Sequence, residues 1–361
     1  MTTVTPLFGF WPHVTAAAAH RLLADRPSSR LLAFSTLEDL LTIAGRHDGD
    51  LLVTFPETWE PDRLRLTWTA AAPPDGVALG RTVTAVAADL LLDALADETV
   101  LPETGDDRGI GDVVAHQIEQ ADTIVLAELP DDDPWEAERL RVLLHRLAPW
   151  AAVLTAADDH PPAVAHSAAP LTPATRGLRG RAVGLHEPLP CNGVVSCVFK
   201  ARRPFHPQRL HAALDDVIDQ VLRSRGHLWL ASRPELVLAW ESAAALRLTP
   251  ASAWLAGLGD DAWQSVHAER RIAADLDWDP YYGDRHQHLV FIGFDLDPVR
   301  LHRTLTACLL TDEELSAGED EWRHLPDPFR PPSGALTPAD SSEAGCPETA
   351  RWSDTGGPEP T

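Results

Sequence analysis

Several residue types and patterns are scarce in this sequence, and each absence excludes a class of protein. Four cysteines occur, all after residue 190 and none in a Cys-x-x-Cys pair, so they form neither a disulfide framework nor a zinc-finger pattern. No apolar run reaches the roughly 18 residues that a membrane-spanning helix needs. The N-terminal stretch MTTVTPLFGFWPH lacks the basic region that precedes the apolar core of a secretory signal. We therefore expect a cytoplasmic protein with no membrane partner.

Positive charge is also scarce. The chain has 30 Lys and Arg residues against 54 Asp and Glu residues, a formal net charge of −24. A broad contact with nucleic acid or anionic lipid needs clustered cations, so we expect no direct, sequence-specific nucleic-acid binding. Lys200 is the only lysine. A P-loop NTPase uses a lysine as a compact charge on the β- and γ-phosphates, and the first 199 residues have none to offer.

The first half of the chain alternates apolar runs with amphipathic stretches. Its 361 residues, 44% of them hydrophobic, allow two domains of roughly 150 residues each. Strands alternating with helices indicate an α/β domain with a mostly parallel sheet, which we assign to residues 1–157. The predicted strands are Leu51–Phe55, Thr82–Ala87, Thr123–Leu126 and Ala151–Leu154, and the predicted helices include Ile110–Gln120 and Trp135–Leu147.

The second half has a different pattern, in which strands follow one another directly. Residues 158–190 contain several prolines and no sustained period, which is typical of a linker. Residues 191–329 then predict an α+β domain with an antiparallel sheet. Its predicted strands are VVSCVF, HLWLA, LVLAW, LRL and HLVFIGF, and its predicted helices are Pro207–Val221, Asp261–Leu276 and Pro298–Leu309. Residues 330–361 are rich in Pro, Gly, Ser and acidic residues, which predicts a disordered acidic tail.

Four motifs of the second half carry a family resemblance. They are ARRPFHPQRL (Ala201–Leu210), RSRGHLWLASRP (Arg223–Pro234), GDRHQHLVFIG (Gly283–Gly293) and LLTDEE (Leu309–Glu314), together with the strand that holds Trp240. In order and spacing these motifs closely resemble the C-terminal domain of the CobW family, over residues 193–329. CobW relatives are GTPases linked to metal insertion, cobalamin synthesis and zinc homeostasis, and their N-terminal half is a P-loop domain. The resemblance therefore implies a P-loop-like domain followed by a CobW-type C-terminal domain.

The first half departs from that family at each GTPase motif. In the segment Leu7–Leu23, Pro12 and Val14 stand where loop glycines are expected, Thr15 replaces the lysine and Ala16 replaces the Mg²⁺-binding hydroxyl. The other departures are Thr54 for the Mg²⁺-ordering acid, the sequence AELP (Ala127–Pro130) for the guanine-reading motif, and the missing CxCC metal motif. A phosphate cradle needs glycines so that successive N–H groups can point inward. We expect a degenerate P-loop domain with no catalytic residues, cofactor or bound metal.

The run ARRPFHPQRLHAA and the Glu-Ser-Ala run after the Trp240 strand are similar to short, motif-poor actinobacterial members of the family. Relatives of that type are encoded with zinc-independent ribosomal proteins, and one branch recruits a ribosome hibernation factor under zinc limitation. The resemblance implies a non-enzymatic adaptor in the zinc or metal-limitation response, with a basic hibernation factor or the ribosome as partner. A chain of charge −24 can be steered to such proteins. A metal chaperone that binds GTP through a non-standard site remains the alternative.

One basic and aromatic cluster is the predicted partner-binding surface. Its members are Arg202, Arg203, Phe205, His206 and Arg209. In an acidic chain these residues could bind an acidic patch or a phosphate. Alternatively, Pro204 and Pro207 shape a turn from strand to helix, with Pro207 at the helix start.

Two further groups leave alternatives open. His286 and His288 alternate along a predicted strand and would share one face with Asp284 nearby, as a metal pair does. A solvated strand edge with an Asp–Arg pair is the other reading, because a zinc site needs three protein ligands. The acidic run Asp131–Asp133 is typical of a solvated helix start but could dock a basic protein.

Overall fold

A computed structural model describes residues 2–24, 28–102, 108–129, 133–155, 185–243, 245–266 and 268–330. These residues form two β-sheets with helices. The strands are β1 Thr2–Phe8, β2 Arg30–Ala33, β3 Leu51–Thr54, β4 Val77–Leu79, β5 Val83–Ala87, β6 Thr123–Ala127, β7 Ala152–Thr155, β8 Glu187–Cys191, β9 Val194–Ala201, β10 Val221–Leu228, β11 Leu236–Ser242, β12 Leu246–Ala253 and β13 Gln287–Phe294. The α-helices are α1 Pro12–Ala24, α2 Leu37–Arg46, α3 Pro61–Ala70, α4 Leu91–Leu95, α5 Ile110–Glu119, α6 Pro134–Leu147, α7 Pro207–Ala212, α8 Leu214–Ile218, α9 Asp260–Ser265, α10 Ala268–Leu276, α11 Pro298–Cys308, α12 Asp312–Ala317 and α13 Glu319–Trp322.

The first sheet is parallel, in the order β2-β3-β1-β5-β6-β7, and β4 lies beside β1. Its central strands are almost entirely buried; β5, for example, has the sequence VTAVA and is buried along its whole length. Continuous apolar strands of this kind are typical of a sheet that is covered on both faces. The predicted α/β domain with a mostly parallel sheet is confirmed.

The second sheet is antiparallel, in the order β12-β11-β10-β13-β9-β8. Strands β8 and β9 are joined by Asn192 and Gly193, both with positive φ, the conformation that a two-residue hairpin turn requires. The predicted α+β domain with an antiparallel sheet is confirmed. Its boundary needs a correction, because residues 187–190, placed in the predicted linker, belong to β8. Residues 158–184 of that linker and 331–361 of the predicted tail lie outside the described residues.

Three predicted elements differ from the structure. The helix predicted over Pro207–Val221 is two short helices, α7 and α8, and the helix predicted over Asp261–Leu276 is divided into α9 and α10. The strand predicted at HLWLA starts earlier, because β10 begins at Val221. It includes Arg223 and Arg225, charged residues that alternation alone would not place in a buried strand.

The two sheets share one apolar core. Val194 of β9 and Val290 and Ile292 of β13 belong to the same buried cluster as Ile118 of α5 and Leu140 of α6. One face of the second sheet therefore packs on helices of the first domain. The other face is covered by α7, α8 and α11 around Phe199, Phe291 and Leu305.

A buried ionic network crosses the contact between the domains. Glu119 at the end of α5 accepts hydrogen bonds from Arg223 at 2.7 and 2.9 Å and lies 2.8 Å from Arg225. Burial raises the pKa of Glu119, but the charges of Arg223 and Arg225 outweigh it and hold the pKa below its ordinary value. Arg247 of β12 pairs with Asp112 of α5.

His116 of α5 extends this network. Its Nδ1 lies 3.4 Å from Glu60, and its Nε2 lies 3.5 Å from Glu241 of β11. Burial lowers the pKa of His116, but the carboxylates of Glu241 and Glu60 outweigh it and raise the pKa to about 10. An imidazolium between two carboxylates thus joins the domains.

None of the helices in the described residues is long and apolar enough to cross a bilayer.

Candidate functional site

The carboxyl edge of the first sheet is the place where an open α/β sheet binds its ligand. Strand β1 ends at Phe8 and α1 begins at Pro12, so only Gly9, Phe10 and Trp11 connect them. Residues 12–15, which the family resemblance assigns to the phosphate loop, are the first residues of the helix. The N–H of Thr15 donates to Trp11 O at 2.9 Å, and its hydroxyl donates to the same carbonyl at 3.0 Å. These groups are therefore not turned toward a ligand.

The space at this connection is filled by the protein itself. Trp11 is buried in the core of the first domain. A Cβ added at Gly9 would lie 2.2 Å from the Thr15 hydroxyl and 3.0 Å from Ala85 O. Gly9 is thus required by close packing, and the geometry leaves no cradle for a phosphate. The residues present do not fit GTP–Mg²⁺ in the manner of a P-loop.

An aromatic cluster occupies the neighbouring part of the same edge. The ring of Phe55, after β3, stacks on Phe8 at 4.7 Å and on Phe34 at 4.8 Å, and Phe34 lies 4.6 Å from Trp59. Thr54, which stands where the family orders Mg²⁺, donates its hydroxyl to Leu32 O at 3.5 Å. The rings pack this part of the edge, and Thr54 presents a hydroxyl at the position where the family has its Mg²⁺-ordering acid.

The residues at the end of β6 also differ from a guanine-reading motif. Glu128 has a φ of 58° and its carboxylate lies 3.6 Å from Nε2 of His13, with both side chains largely exposed. Pro130 lies outside the described residues. An exposed pair of this kind contributes little to stability or to ligand recognition.

The arginines of the predicted partner surface all bind other parts of the C-terminal domain. Arg202 donates to Gly283 O at 3.3 Å and lies 3.5 Å from the Asp277 carboxylate. Arg203 donates to Leu310 O at 3.3 Å and pairs with Asp312.

Arg209 binds both carboxylate oxygens of Glu314, at 2.8 and 2.7 Å. These bonds lower the pKa of the Glu314 carboxyl to about 2. His206 caps α7 by accepting from the N–H of Arg209. The arginines are thus half-exposed cross-links, and their contact with a partner stays a prediction.

Phe205 requires a correction. Its side chain is fully buried, 5.9 Å from Phe199, and its backbone N–H donates to Trp229 O at 2.9 Å. Phe205 therefore belongs to the core and cannot contact a partner in this fold. No local pattern predicts this burial, because Phe205 forms isolated β-bridges with Leu230 and Leu309, which come from distant parts of the domain.

The Asp284, His286 and His288 group is arranged differently from a metal pair. The Asp284 carboxylate accepts from the N–H groups of Leu255 and Ala256 at 2.8 and 2.9 Å, so it orders a loop. His286 and His288 instead meet His227 of β10, which sequence reasoning missed; Nε2 of His227 lies 3.1 Å from Nε2 of His286. Burial lowers the pKa of all three imidazoles, that of His288 to about 3.

Among the described residues, no group of three or more His, Cys, Asp or Glu side chains is arranged to hold a metal ion. Cys191 is exposed, whereas Cys197 and Cys308 are buried and burial raises the pKa of both thiols. A thiol with a raised pKa is a poor metal ligand, because the thiolate is the binding form.

Comparisons with known proteins identify several relatives. Residues 194–309 match the cobalamin synthesis protein cobW C-terminal domain. The chain is 37% identical over 299 residues to the zinc chaperone Rv0106 of Mycobacterium tuberculosis, covering 78% of this chain and 70% of that one. It is 37% identical over 143 residues to the zinc-regulated GTPase metalloprotein activator 1 of Dictyostelium discoideum, covering 38% of this chain and 30% of that one. The Zn(II)-bound YjiA GTPase from E. coli aligns with a TM-score of 0.36 and 15% identity, over 86% of this chain and 99% of that one.

Proposed function

Because the chain belongs to the CobW family, we propose that it acts in zinc or metal homeostasis as an adaptor that does not hydrolyse GTP. In the form we favour, it brings a basic ribosome-associated protein, such as a hibernation factor, to ribosomes when the metal is scarce. The role in metal homeostasis is supported by the names of two relatives, a zinc chaperone and a zinc-regulated metalloprotein activator.

One observation carries the absence of GTP hydrolysis. Helix α1 begins at Pro12, so the positions of the phosphate loop are helical and Trp11 is buried beside them. Loop N–H groups, a lysine and a Mg²⁺ ligand must act together in phosphoryl transfer. Here the loop positions are helical, Thr15 stands at the lysine position and Ala16 at the position of the Mg²⁺ ligand, which supports a role that rests on binding.

The rest of the molecule supports an adaptor. The C-terminal domain keeps the family pattern over residues 194–309, and buried ion pairs join it to the first domain. The charge of −24 favours association with basic proteins and disfavours direct contact with ribosomal RNA. An adaptor that reaches the ribosome through a basic protein fits this charge.

The test is a pull-down of the tagged full chain from zinc-starved and zinc-replete cells, followed by sedimentation of ribosomes. We expect the chain to enter the ribosome fraction together with one basic protein, and only after zinc starvation. Absence from the ribosome fraction in both conditions would overturn the adaptor.

The alternative is a metal chaperone with a non-standard nucleotide site, which the name of the zinc chaperone relative favours. Calorimetric titration of the purified chain with GTP–Mg²⁺ separates the two functions. We expect no micromolar binding, and elemental analysis after mild chelation should find far less than one equivalent of zinc. Micromolar GTP affinity or a stoichiometric, chelation-resistant metal would favour the chaperone.

A further inference from the structure

Large apolar side chains are concentrated on one small exposed part of the C-terminal domain. Ile272, Leu276, Trp278 and Tyr281 have exposed fractions of 60%, 85%, 41% and 78%. They are four of the eleven large apolar residues that are exposed in the described part of the chain, and all four lie within ten residues. We call them the α10 surface. Single exposed apolar residues are ordinary, whereas several that lie close together in the chain are a candidate interaction site.

The α10 surface is held in a fixed arrangement. Ile272 and Leu276 are four residues apart on α10 and so share one helix face. Trp278 packs edge-on against Trp263 of α9 at 5.7 Å. The Asp279 carboxylate accepts from the N–H groups of Tyr281 and Tyr282 at 2.8 and 2.9 Å, which fixes the turn that presents Tyr281. An ordered surface loses little conformational entropy when it binds.

The segment of the chain that carries this apolar group is acidic. Residues 260–281 contain six Asp and Glu residues and two arginines. One of these arginines, Arg270, is turned toward β12, where it donates to Ser252 at 3.2 Å. Asp260, Asp261, Asp275 and Asp277 are exposed. Anionic lipid and nucleic acid would be repelled, and two copies of a −24 chain would repel each other.

We propose that the α10 surface binds a basic, amphipathic segment of a protein partner. Apolar side chains of the segment would cover Ile272, Leu276, Trp278 and Tyr281, and its Lys and Arg residues would meet the carboxylates of this acidic part of the chain. The inference rests on the proposed function, since it assigns to the adaptor the surface that receives its basic partner. It replaces the Arg202–His206 turn as the first place to test.

The first experiment measures binding without knowledge of the partner. The probe is a fluorescent 18-residue helical peptide with Leu on one face and Lys on the other; its controls are a scrambled peptide of the same composition and a Lys-to-Glu counterpart. Fluorescence anisotropy with the full chain should show at least about tenfold tighter binding of the amphipathic basic peptide than of either control. Equal binding of the scrambled peptide would reduce the effect to net charge and overturn the inference.

Matched variants locate the binding. Ile272→Ser and Leu276→Ser together should weaken peptide binding about tenfold, with an unchanged melting temperature because both side chains are exposed. Val299→Ser and Leu66→Ser remove comparably exposed apolar side chains elsewhere and should leave binding unchanged. If both double variants lose peptide binding, or if neither does, the peptide does not bind at the α10 surface. Self-association that disappears only in the first pair would assign the surface to a second copy instead.

The second experiment separates this inference from the proposed function. The same variants are followed into the ribosome fraction of zinc-starved cells. Recruitment of the unmodified chain but not of the Ile272→Ser/Leu276→Ser variant supports both the α10 surface and the adaptor role. Equal recruitment by both chains overturns the surface and leaves the adaptor intact. If neither chain reaches ribosomes, the adaptor fails, and the peptide measurements still decide whether the surface binds.

Discussion

At the residue scale, the connection between β1 and α1 is closely packed. Thr15 is bonded to Trp11 O within α1, and a Cβ added at Gly9 would lie 2.2 Å from the Thr15 hydroxyl. A lysine placed in this turn therefore meets a filled space, and we expect that restoring one residue type does not create a phosphate cradle.

This leads to a first prediction. Thr15→Lys, which returns a lysine to the position of the phosphate contact, should not create micromolar binding of GTP–Mg²⁺, because Pro12 has no N–H and the N–H of residue 15 donates to Trp11 O within the helix. Calorimetric titration measures this. Val14→Lys, a neighbouring change in the same buried helix turn, is the control for the stability cost of a buried lysine. Tight GTP binding by Thr15→Lys alone would show that the loop can still open.

The second residue-scale prediction concerns Glu119. Glu119→Gln leaves Arg223 and Arg225 buried without their carboxylate, so the free energy of unfolding should fall by about 3–5 kcal/mol. Urea unfolding measures this. Glu138→Gln removes a carboxylate from an exposed pair with Arg141 and should change the free energy by less than about 1 kcal/mol. A similar effect of the two substitutions would mean that the buried pair is not a major stabilising contact.

At the element scale, the turn between β9 and α7 is bound to two other parts of the domain. Arg202 reaches the loop at Asp277 and Gly283, and Arg203 reaches Leu310 and the start of α12. Residues that sequence reasoning selected for a partner therefore have a role in joining elements. Because each guanidinium is about one-third exposed, it can still present hydrogen-bond donors to solvent.

The third prediction tests which role dominates. Replacing Arg202 and Arg203 by Ala should lower the melting temperature and should reduce the free energy of unfolding by roughly 1 kcal/mol per arginine, because Asp277 O loses the Arg202 donor and Leu310 O loses the Arg203 donor. Thermal unfolding measures it, with Arg141→Ala on the surface of α6 as the control. An unchanged melting temperature together with lost ribosome recruitment would favour the partner-binding role instead.

At the scale of the whole molecule, the contact between the domains joins charged groups that are far apart in sequence. Three such groups come from separate elements: Glu60 directly precedes α3, His116 lies on α5 and Glu241 lies on β11. The facing carboxylates raise the pKa of His116, so its charge stabilises the folded chain fully below its ordinary value of 6.5. This contribution is lost as the pH rises toward about 10. Glu60 and Glu119 have lowered pKa values, so their contributions are present above 4.5 and lost in acid.

The fourth prediction follows from these signs. The free energy of unfolding should fall with rising pH between about 6.5 and 10, by up to about 1.4 kcal/mol per pH unit from His116. His116→Gln should be less stable at pH 6.5 and should lose this slope, whereas His20→Gln, at an exposed position, should keep it. Denaturant unfolding at several pH values measures the slopes. An unaltered slope in His116→Gln would show that other groups cause it.

The sequence by itself determined the class of each domain and most of the elements. Alternating apolar runs such as Thr123–Leu126 and Ala151–Leu154 predict β6 and β7 because strand burial follows local hydrophobicity, and the C-terminal motifs carry the family resemblance. Only the tertiary structure decided that Arg223 and Arg225 are buried in β10 and that Phe205 lies in the core. It also decided that His227 contacts His286 and that Ile272 and Leu276 remain exposed. The physical reason is that the period of the apolar residues predicts which face of an element is buried, whereas the residues that pack against that face come from distant parts of the chain. Glu119, the partner of Arg223, is 104 residues away, and no local pattern carries such a pairing.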